Sequence, residues 1–464
     1  MKTFTFAMMA ASAMAADKTA LVGTNIGGWM VLEPWITPSM FYRFLGKTHS
    51  DGIGTDQYTF CEALGPELGN KVLKAHWDEW IKEDLLFDLA KKGVEVIRVP
   101  YGDWTMTQYG PYVGCTDGAK EKLEWLLETA DKAGLKVWFD LHAIEGSQNG
   151  YDNSGLSNHT EWVDETHYQH WKHQTANWMG EWDVDTMKYT STDVHKVQHT
   201  IDEIEKFIKH FSQYPAFYAF EPVNEPLAGT DLPLLKWFYR NVRQILRTYR
   251  PDAQFVFHES YHYDAETWND LFSDYDMDNV ILDTHQYLAF GAKFESDVMV
   301  HCDNFKEMLA PAKKIKYPVW VGEWAIATDT CAHWLNGFND HRDAFAQKCA
   351  WVDCPKSYLP DDLAVDFDRE ADILGPFGGD TTLGAIQKGQ CMVDSEYYSK
   401  QQTMQLAKCM VEAFNDNVAG HFIWAAKNEM QEERWSYTQA FDAGYLDPSV
   451  TFELPGQEPS VFTQ

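Results

Sequence analysis

The sequence predicts an α/β fold, a single (β/α)8 TIM barrel with long βα loops on one face, and three observations support it. Eight short apolar runs alternate with amphipathic stretches along the chain. The runs are rich in β-branched and aromatic residues, which is typical of strands buried on both faces. No internal repeat or low-complexity linker divides the chain. An open, doubly wound sheet is the alternative.

Each apolar run is a predicted barrel strand. In chain order the runs occupy residues 21–29, 94–101, 136–142, 217–222, 254–259, 280–287, 318–324 and 418–425. Helical patterns lie between most of them. Three of these patterns end at stop signals: 77–92 at Gly93, 119–132 at Gly134, and 231–249 just before Pro251.

Two connections that follow predicted strands are unusually long, at residues 143–195 and 325–399. In such a barrel, functional residues lie where strands end and βα loops begin. A connection of more than about twelve residues is usually functional or disordered, and the aromatic content here favours ordered walls. We therefore expect both loops to stand on the catalytic face and to deepen it into a pocket or cleft.

Composition excludes several classes of protein. The 464 residues are 45% hydrophobic and 23% charged, which is normal for a globular chain. With 70 acidic against 38 basic residues, the net charge of −32 repels phosphate backbones and anionic membranes. We expect no nucleic-acid partner. We also expect no membrane anchor, because no later run approaches the ~18 apolar residues of a spanning helix.

The N-terminus has the features of a secretory signal peptide. Lys2 precedes an apolar stretch that ends in Ala13-Met14-Ala15, an A-x-A cleavage pattern. We predict a signal peptide at 1–15, one domain at 16–464, and a secreted, extracellular protein with cell-wall association as an option. All eight cysteines follow the cleavage site and suit disulfides, in pairings that the sequence leaves open. Asn158 begins a glycosylation sequon.

Two glutamates are the strongest candidates for chemistry. Glu225 follows the fourth run in an Asn-Glu-Pro sequence, and Glu323 ends the seventh run in a Val-Gly-Glu-Trp sequence. Parallel barrel strands deliver both to one end, from roughly opposite sides. Facing carboxylates are what glycoside hydrolysis needs. By itself, Asn-Glu-Pro is as compatible with a strand-end turn and a capping glutamate.

Longer motifs accompany this pair. They are NIGGWMVLEPWITPS at 25–39, GSQNGYDNSG at 146–155, VNEP at 223–226 and VGEW at 321–324. Over about residues 21 to 447 the chain therefore resembles glycoside hydrolase family 5 and, within it, the fungal-type exo-β-1,3-glucanases (glucan 1,3-β-glucosidases). The first two motifs are specific to that group, whereas the carboxylate motifs are shared more widely.

The resemblance implies a retaining glycoside hydrolase that releases glucose from β-1,3-glucan. Glu225 would be the acid/base and Glu323 the nucleophile. We expect a raised pKa for Glu225 and a lower pKa for Glu323, because the acid must hold a proton while the nucleophile is ionised. Four residues would support them: Arg98 as a cation near the nucleophile, Asn224 on the sugar 2-hydroxyl, His285 near Glu225, and Tyr287 near Glu323.

The resemblance also implies a set of substrate-binding residues: Glu33, His142, Tyr151, Asp152, Asn153, Phe290 and Trp424. Trp424 would form the floor on which a glucose ring stacks, and the peptide bond after it is expected to be cis. A satisfied core position is the alternative for each histidine. The sequence departs from the family at 143–145, at Tyr151 and Leu156, and in a longer segment at 338–397, which leaves linkage preference and subsite number open.

Other functions remain open. His167, His170 and His173 have a spacing that a metal site could use, although a two-carboxylate mechanism needs no metal and no cofactor. An endo-acting β-glucanase, a glucan transglycosylase and a non-catalytic carbohydrate-binding cell-wall protein are the alternatives. The partner that we expect is a β-glucan polysaccharide or oligosaccharide, bound by a monomer.

Overall fold

The predicted barrel is confirmed by a computed structural model, which describes residues 19–45, 47–157, 160–162, 168–170, 175–290, 295–328, 355–366 and 398–450. Eight parallel strands form it, with the bounds Leu21–Asn25 (β1), Val96–Gly102 (β2), Lys136–Ala143 (β3), Phe217–Glu221 (β8), Gln254–His258 (β9), Val280–Gln286 (β10), Val319–Trp324 (β11) and Gly420–Ile423 (β12). They close in the order β1-β12-β11-β10-β9-β8-β3-β2. Each barrel strand falls on one of the eight apolar runs.

The long connection after β3 contains two small antiparallel hairpins. The apolar runs did not predict them, because no run lies in this part of the sequence. One pairs Thr160–Trp162 (β4) with Tyr168–His170 (β5), and the other pairs Gly180–Asp183 (β6) with Lys188–Thr192 (β7). The alternative of a metal site at His167, His170 and His173, and the sequon at Asn158, concern side chains outside the described residues. The same is true of the predicted signal peptide.

The helices surround the barrel. They are Gln57–Trp80 (α1), Glu83–Lys91 (α2), Ala119–Ala133 (α3), Val194–Phe211 (α4), Leu232–Tyr249 (α5), Ala265–Trp268 (α6), Val298–Leu309 (α7), Lys400–Asn417 (α8) and Tyr437–Asp442 (α9). No helix in the described ranges is long and apolar enough to cross a membrane. The predicted helix at 77–92 is wrong in one respect, because extended dihedrals at Ile81 and Lys82 divide it between α1 and α2. Ile81 is buried in the core, so the apolar spacing continues across the break.

The barrel interior is divided into an apolar floor and a polar upper layer. The floor is an isolated cluster of buried side chains: Val96, Trp138, Ala219, Val256, Ile281, Trp320 and Phe422. Its aromatic rings pack with centroid separations of 4.7 to 5.5 Å. The Arg98 guanidinium lies 4.9 Å from the centroid of the Trp138 ring, which places a cation at the boundary between the two layers.

Two disulfides join distant parts of the chain. Cys61 in α1 is bonded to Cys115 before α3, and Cys302 in α7 is bonded to Cys409 in α8. These bonds agree with the expectation of an oxidising compartment. The other four cysteines lie outside the described residues.

Candidate active site

The carboxyl ends of the barrel strands converge on one polar site, as the fold predicts. Glu225 lies in the turn after β8 and has a φ of +46°, a backbone conformation that is uncommon for a residue with a side chain. Two amides stabilise this turn. Gln148 Nε2 donates to the carbonyl of Asn224 at 2.9 Å, and Asn149 Nδ2 donates to the carbonyl of Glu225 at 3.3 Å. The GSQNGYDNSG motif therefore fixes the backbone of the catalytic candidate from the loop after β3.

Glu323 is the penultimate residue of β11, and both of its oxygens accept hydrogen bonds. Arg98 Nη1 donates to Oε1 at 2.8 Å, and the Tyr287 hydroxyl donates to Oε2 at 2.8 Å. The carboxylate is therefore held in one orientation by a donor on β2 and a donor directly after β10. Arg98 and Tyr287 both lie at Glu323, and their roles there stay predictions.

His285 lies between the two glutamates. Its Nδ1 is 2.6 Å from Oε1 of Glu225 and 3.4 Å from Oε2 of Glu323. The two oxygens lie at these distances from the same nitrogen, so the distance between the oxygens cannot exceed the sum, about 6 Å. Carboxyl groups of inverting glycosidases are roughly 6.5–9.5 Å apart and those of retaining ones about 5–5.5 Å. The upper bound favours the retaining arrangement.

Arg98 organises the polar layer beneath these residues. It is fully buried, and its guanidinium contacts polar atoms on four neighbouring strands and turns: Asn25 Oδ1 at 3.1 Å, Asp140 Oδ2 at 3.1 Å, Glu221 Oε2 at 3.0 Å and Asn224 Oδ1 at 2.8 Å. The sequence analysis identified Arg98 and Asn224 but missed Asp140 and Glu221. Each of these acids lies inside an apolar run, and that was the signal that could have revealed them.

The expected order of the two glutamate pKa values is reversed in the structure without substrate. Burial raises the pKa of Glu225, but the charge of His285 and its hydrogen bond, with smaller effects of His258 and His142, lower it to about 2. Burial raises the pKa of Glu323 more than the charges of His285 and Arg98 lower it. The reason for the reversal is His285: its place near Glu225 was expected, but the effect of its charge on the pKa of that carboxyl was not. Burial lowers the pKa of His285, but the charges of Glu323, Asp283 and Glu225 raise it well above its usual range, so the protonated imidazole faces a carboxylate that favours its ionised form.

A pocket of about 450 Å³ opens above the site. Its lining combines carboxylates with aromatic rings: Glu33, Trp35, Tyr151, Asn153, Glu225, Tyr261, His285, Tyr287, Phe290, Glu323, Trp424 and Trp435 are among the residues that form it. Five of the seven predicted substrate-binding residues are in this set. The other two, His142 and Asp152, are not: His142 stacks behind Trp424 with ring centroids 5.5 Å apart, and Asp152 is buried under the loop.

Three lining aromatics were missed by the sequence analysis. Trp35 lies inside a quoted motif, Trp435 is in the loop after β12, and Tyr261 follows β9. Tyr261 has a φ of +57° and the preceding Ser260 a φ of +52°, so the chain turns sharply here. Ser260 Oγ donates to the carbonyls of Pro226 and Leu227, both at 2.9 Å, and links this turn to the turn that carries Glu225. No local sequence signal predicts such a contact.

The eighth barrel strand ends as the resemblance implies. The Trp424–Ala425 peptide bond is cis, and the indole of Trp424 lines the pocket together with Glu323. Glu33 faces the same space, where its carboxylate accepts hydrogen bonds from the backbone of Gly28 at 3.1 Å and from the Trp35 indole at 3.3 Å.

Comparison with known proteins gives consistent results. The profile of the cellulase family (glycosyl hydrolase family 5) matches residues 61–357. The chain is 34% identical to a glucan 1,3-beta-glucosidase of Kluyveromyces lactis over 331 residues, which are 68% of each chain. It is 28% identical to glucan 1,3-beta-glucosidase 2 of Wickerhamomyces anomalus over 94% of this chain and 90% of the relative. The crystal structure of rutinosidase from Aspergillus niger, at 20% identity, superposes with a TM-score of 0.60 over 93% of this chain and 98% of that chain, and shows the same fold.

Proposed function

Because the chain belongs to glycosyl hydrolase family 5, we propose that it is a retaining β-glucosidase that acts on β-1,3-glucan from the chain end and releases glucose. Glu323 attacks the anomeric carbon while Glu225 protonates the departing glycosidic oxygen. The resulting glycosyl-enzyme ester is then hydrolysed by a water molecule from which Glu225 takes a proton. Each half-reaction inverts the anomeric carbon, so the product keeps the β configuration.

One observation carries this proposal, namely the position of a single imidazole nitrogen between the two glutamates. The distances of His285 Nδ1 to Glu225 and Glu323 put an upper bound of about 6 Å on the separation of those carboxylate oxygens. A nucleophile and an acid on opposite sides of one glycosidic bond need such a short separation, whereas an inverting pair leaves room for a water molecule.

The proton for the first step is supplied by the pair of Glu225 and His285. We place that proton on His285 in the free protein, because the charges of Glu323, Asp283 and Glu225 outweigh burial and raise the pKa of the imidazole, whose Nδ1 is 2.6 Å from the carboxylate. When the glycosidic oxygen lies against Glu225, the imidazole passes this proton to the carboxylate, and Glu225 donates it to the oxygen as negative charge develops there. Glu323, held by Arg98 and Tyr287, is ionised and oriented for attack.

The shape of the pocket supports action at a chain end. Seven of the eight barrel strands, or the loops that follow them, contribute to its wall, so the opening is surrounded on most sides. Tyr151 and Phe290 come from loops after β3 and β10. The names of the relatives support β-1,3-glucan as the substrate. Secretion, by way of the predicted signal peptide, would bring a monomeric enzyme to this extracellular polysaccharide.

Product analysis on laminarin tests the substrate and the mode of action. We expect glucose as the product from the earliest time points, and much slower release from β-1,6- and β-1,4-glucans. Oligosaccharides of mixed length at early times would indicate an endo-acting enzyme. Products longer than the substrate would indicate a transglycosylase, and binding without any turnover would indicate a carbohydrate-binding protein.

The stereochemistry and the nucleophile are tested separately. Proton NMR of the first product should show β-glucose before mutarotation. A 2-deoxy-2-fluoro-glucosyl donor with a good leaving group should label one residue, and peptide mapping should locate the label on Glu323. Initial formation of α-glucose, or a label on another residue, would contradict the assignment.

A further inference from the structure

Asp283 occupies a central position that the proposed mechanism does not use. It is fully buried near the end of β10, and each of its oxygens accepts one hydrogen bond from the catalytic layer. Oδ2 accepts from Nε2 of His285 at 3.1 Å, and Oδ1 accepts from the backbone N–H of Gly322 at 2.7 Å. Gly322 immediately precedes Glu323. One carboxylate therefore contacts both the partner of Glu225 and the backbone that carries Glu323.

The local backbone makes room for this carboxylate. The pairing of β10 with β11 shifts by one residue, from Thr284 opposite Val321 to His285 opposite Glu323, so Gly322 is the extra residue of a bulge. A Cβ atom at Gly322 would collide with the Asp283 carboxylate. The carbonyl of Gly322 accepts a hydrogen bond from Asn25 Nδ2 at 2.9 Å. The bulge is therefore fixed on both sides.

We propose that Asp283 is a positioning residue, which holds His285 as an imidazolium with Nδ1 directed at Glu225 and so keeps the acid supplied with its proton. This inference rests on the proposed function. The arrangement is a chain from Asp283 through His285 to Glu225, in which the first carboxylate orients the imidazole and the second receives its proton. A carboxylate that accepts from one ring nitrogen fixes which proton the other nitrogen presents.

The charges around His285 support this role. The groups that interact with it are Asp283 itself, Glu323 on β11, Glu221 at the end of β8, Glu225 in the turn after β8, His258 at the end of β9 and Glu259 directly after β9. Arg98 on β2 contacts two of these carboxylates, Glu221 and Glu323. Burial lowers the pKa of His285, but the charges of Glu323, Asp283 and Glu225 outweigh it and raise that pKa well above its usual range. His258 is buried as a neutral ring, because burial lowers its pKa to about 3.

Asp283→Asn separates the two hydrogen bonds of this residue. The amide oxygen of the variant can still accept from Gly322, but its NH2 group faces Nε2 of His285, which can then no longer donate. The basic limb of kcat/KM reports loss of the proton from the acid and its partner. We expect this limb to move to lower pH by about 1–3 units, since a charge within hydrogen-bonding distance has that effect. A uniform loss at every pH, with an unmoved limb, would overturn the proposal.

The rates of Asp283→Asn on substrates with different leaving groups show whether Asp283 acts through the acid, Glu225, or through the nucleophile, Glu323. With 2,4-dinitrophenyl β-glucoside, departure needs no proton, so Asp283→Asn should cleave it within about threefold of the wild-type rate. With laminaribiose the same variant should lose at least tenfold at pH 7. Equal losses on the two substrates would show that Asp283 acts through Gly322 and Glu323 instead. A wild-type protein that cleaves neither substrate would contradict the proposed function and not this inference alone.

Two controls keep the result interpretable. Asp103→Asn is the matched variant, because Asp103 is also buried and accepts one backbone and one side-chain hydrogen bond, from Glu145 and Tyr109. Its pH limbs should not move.

If Asp283→Asn fails to fold, nitrogen NMR of the wild-type protein remains decisive, with the His285 signals assigned by their loss in His285→Asn. An imidazolium at pH 7 is expected, and a neutral ring there would overturn the proposal.

Discussion

The hydroxyl of Tyr287 donates a 2.8 Å hydrogen bond to Oε2 of Glu323. Tyr287 follows β10 directly and Glu323 lies in the adjacent β11, so the contact crosses the junction of two neighbouring strands. Arg98 holds the other oxygen of the same carboxylate. The proposed nucleophile thus has a neutral donor on one oxygen and a charged donor on the other, and the neutral donor can be removed without disturbing the cation.

Tyr287→Phe should move the acidic limb of the pH profile to higher pH. Burial already raises the pKa of Glu323, and a hydrogen bond to the ionised form opposes that rise. Loss of this donor therefore raises the pKa further, by about 1–2 units, and the ionised nucleophile is present only at higher pH. A hydrogen bond to a charged group contributes about 1.5–3 kcal/mol, which corresponds to a loss of roughly 10- to 150-fold in kcat/KM below the new limb.

The matched control for this variant is Tyr112→Phe. The Tyr112 hydroxyl is also buried and donates to a carbonyl, that of Gly155, away from the two glutamates. Its removal should leave both limbs in place. An unmoved acidic limb in Tyr287→Phe would show that this hydroxyl does not control the ionisation of Glu323.

Glu323→Gln should remove turnover while leaving the fold intact, because the amide lacks the attacking oxygen. We expect kcat to fall by on the order of 10⁴-fold or more, as when other nucleophiles are deleted. The measurement is release of glucose from laminarin, with thermal unfolding as the test of folding. Glu259→Gln is the control: this glutamate is also buried, directly follows β9 and accepts from Thr284, but it does not line the pocket. Comparable losses in both variants would weaken the nucleophile assignment.

Stability should fall between about pH 6.5 and pH 8. Burial raises the pKa of Glu259 to about 8, although a hydrogen bond from Thr284 opposes the rise. Burial likewise raises the pKa of Asp103 and of Asp152 to about 7. The unfolded chain has released these protons above about pH 5, whereas the folded protein keeps them. The folded state thus binds more protons, so the free energy of unfolding decreases as the pH rises through the folded pKa values.

Glu259→Gln isolates the contribution of one group to that decrease. The wild-type free energy of unfolding, measured in urea at pH 6.5 and pH 8, should fall by on the order of 1–2 kcal/mol more than that of the variant. Buried neutral histidines such as His76 and His421 do not affect this difference, because burial lowers their pKa to about 3 in both proteins and their unfolded forms titrate equally in both. Parallel pH dependences would show that Glu259 is ionised in the folded protein.

Loss of the Cys61–Cys115 disulfide should destabilise the protein without altering the chemistry. The bond closes a loop of 54 residues between α1 and the segment before α3. It lies in the helical layer and is far from the two glutamates in sequence. A loop of that length corresponds to about 4 kcal/mol of loop-closure entropy in the unfolded chain. Cys61→Ala with Cys115→Ala should lower the urea midpoint and keep kcat at 25 °C. Unchanged unfolding would indicate a denatured state that is compact without the bond.

The sequence by itself determined the barrel, because eight apolar runs with helical intervals leave few ways to bury every face. It also determined at which end of the barrel the candidate active site lies, because the residues that follow parallel strands are all at the same end. Arg98, His285 and Tyr287 could be identified from their positions at strand ends together with the family resemblance. Five of the seven predicted sugar-binding residues line the pocket, because the loops that follow the barrel strands all lie at this end of the barrel.

The tertiary structure alone decided how the charges interact. The family resemblance places His285 near Glu225, but only the folded structure brings them to 2.6 Å, where the charge of His285 lowers the pKa of Glu225 and reverses the expected pKa order. The role of Asp283 depends on a bulge at Gly322 that no periodicity records. His142 and Asp152 lie behind the pocket wall because neighbouring side chains cover them. Electrostatic interactions depend on distances of a few ångströms between residues far apart in the chain, and the sequence does not contain those distances.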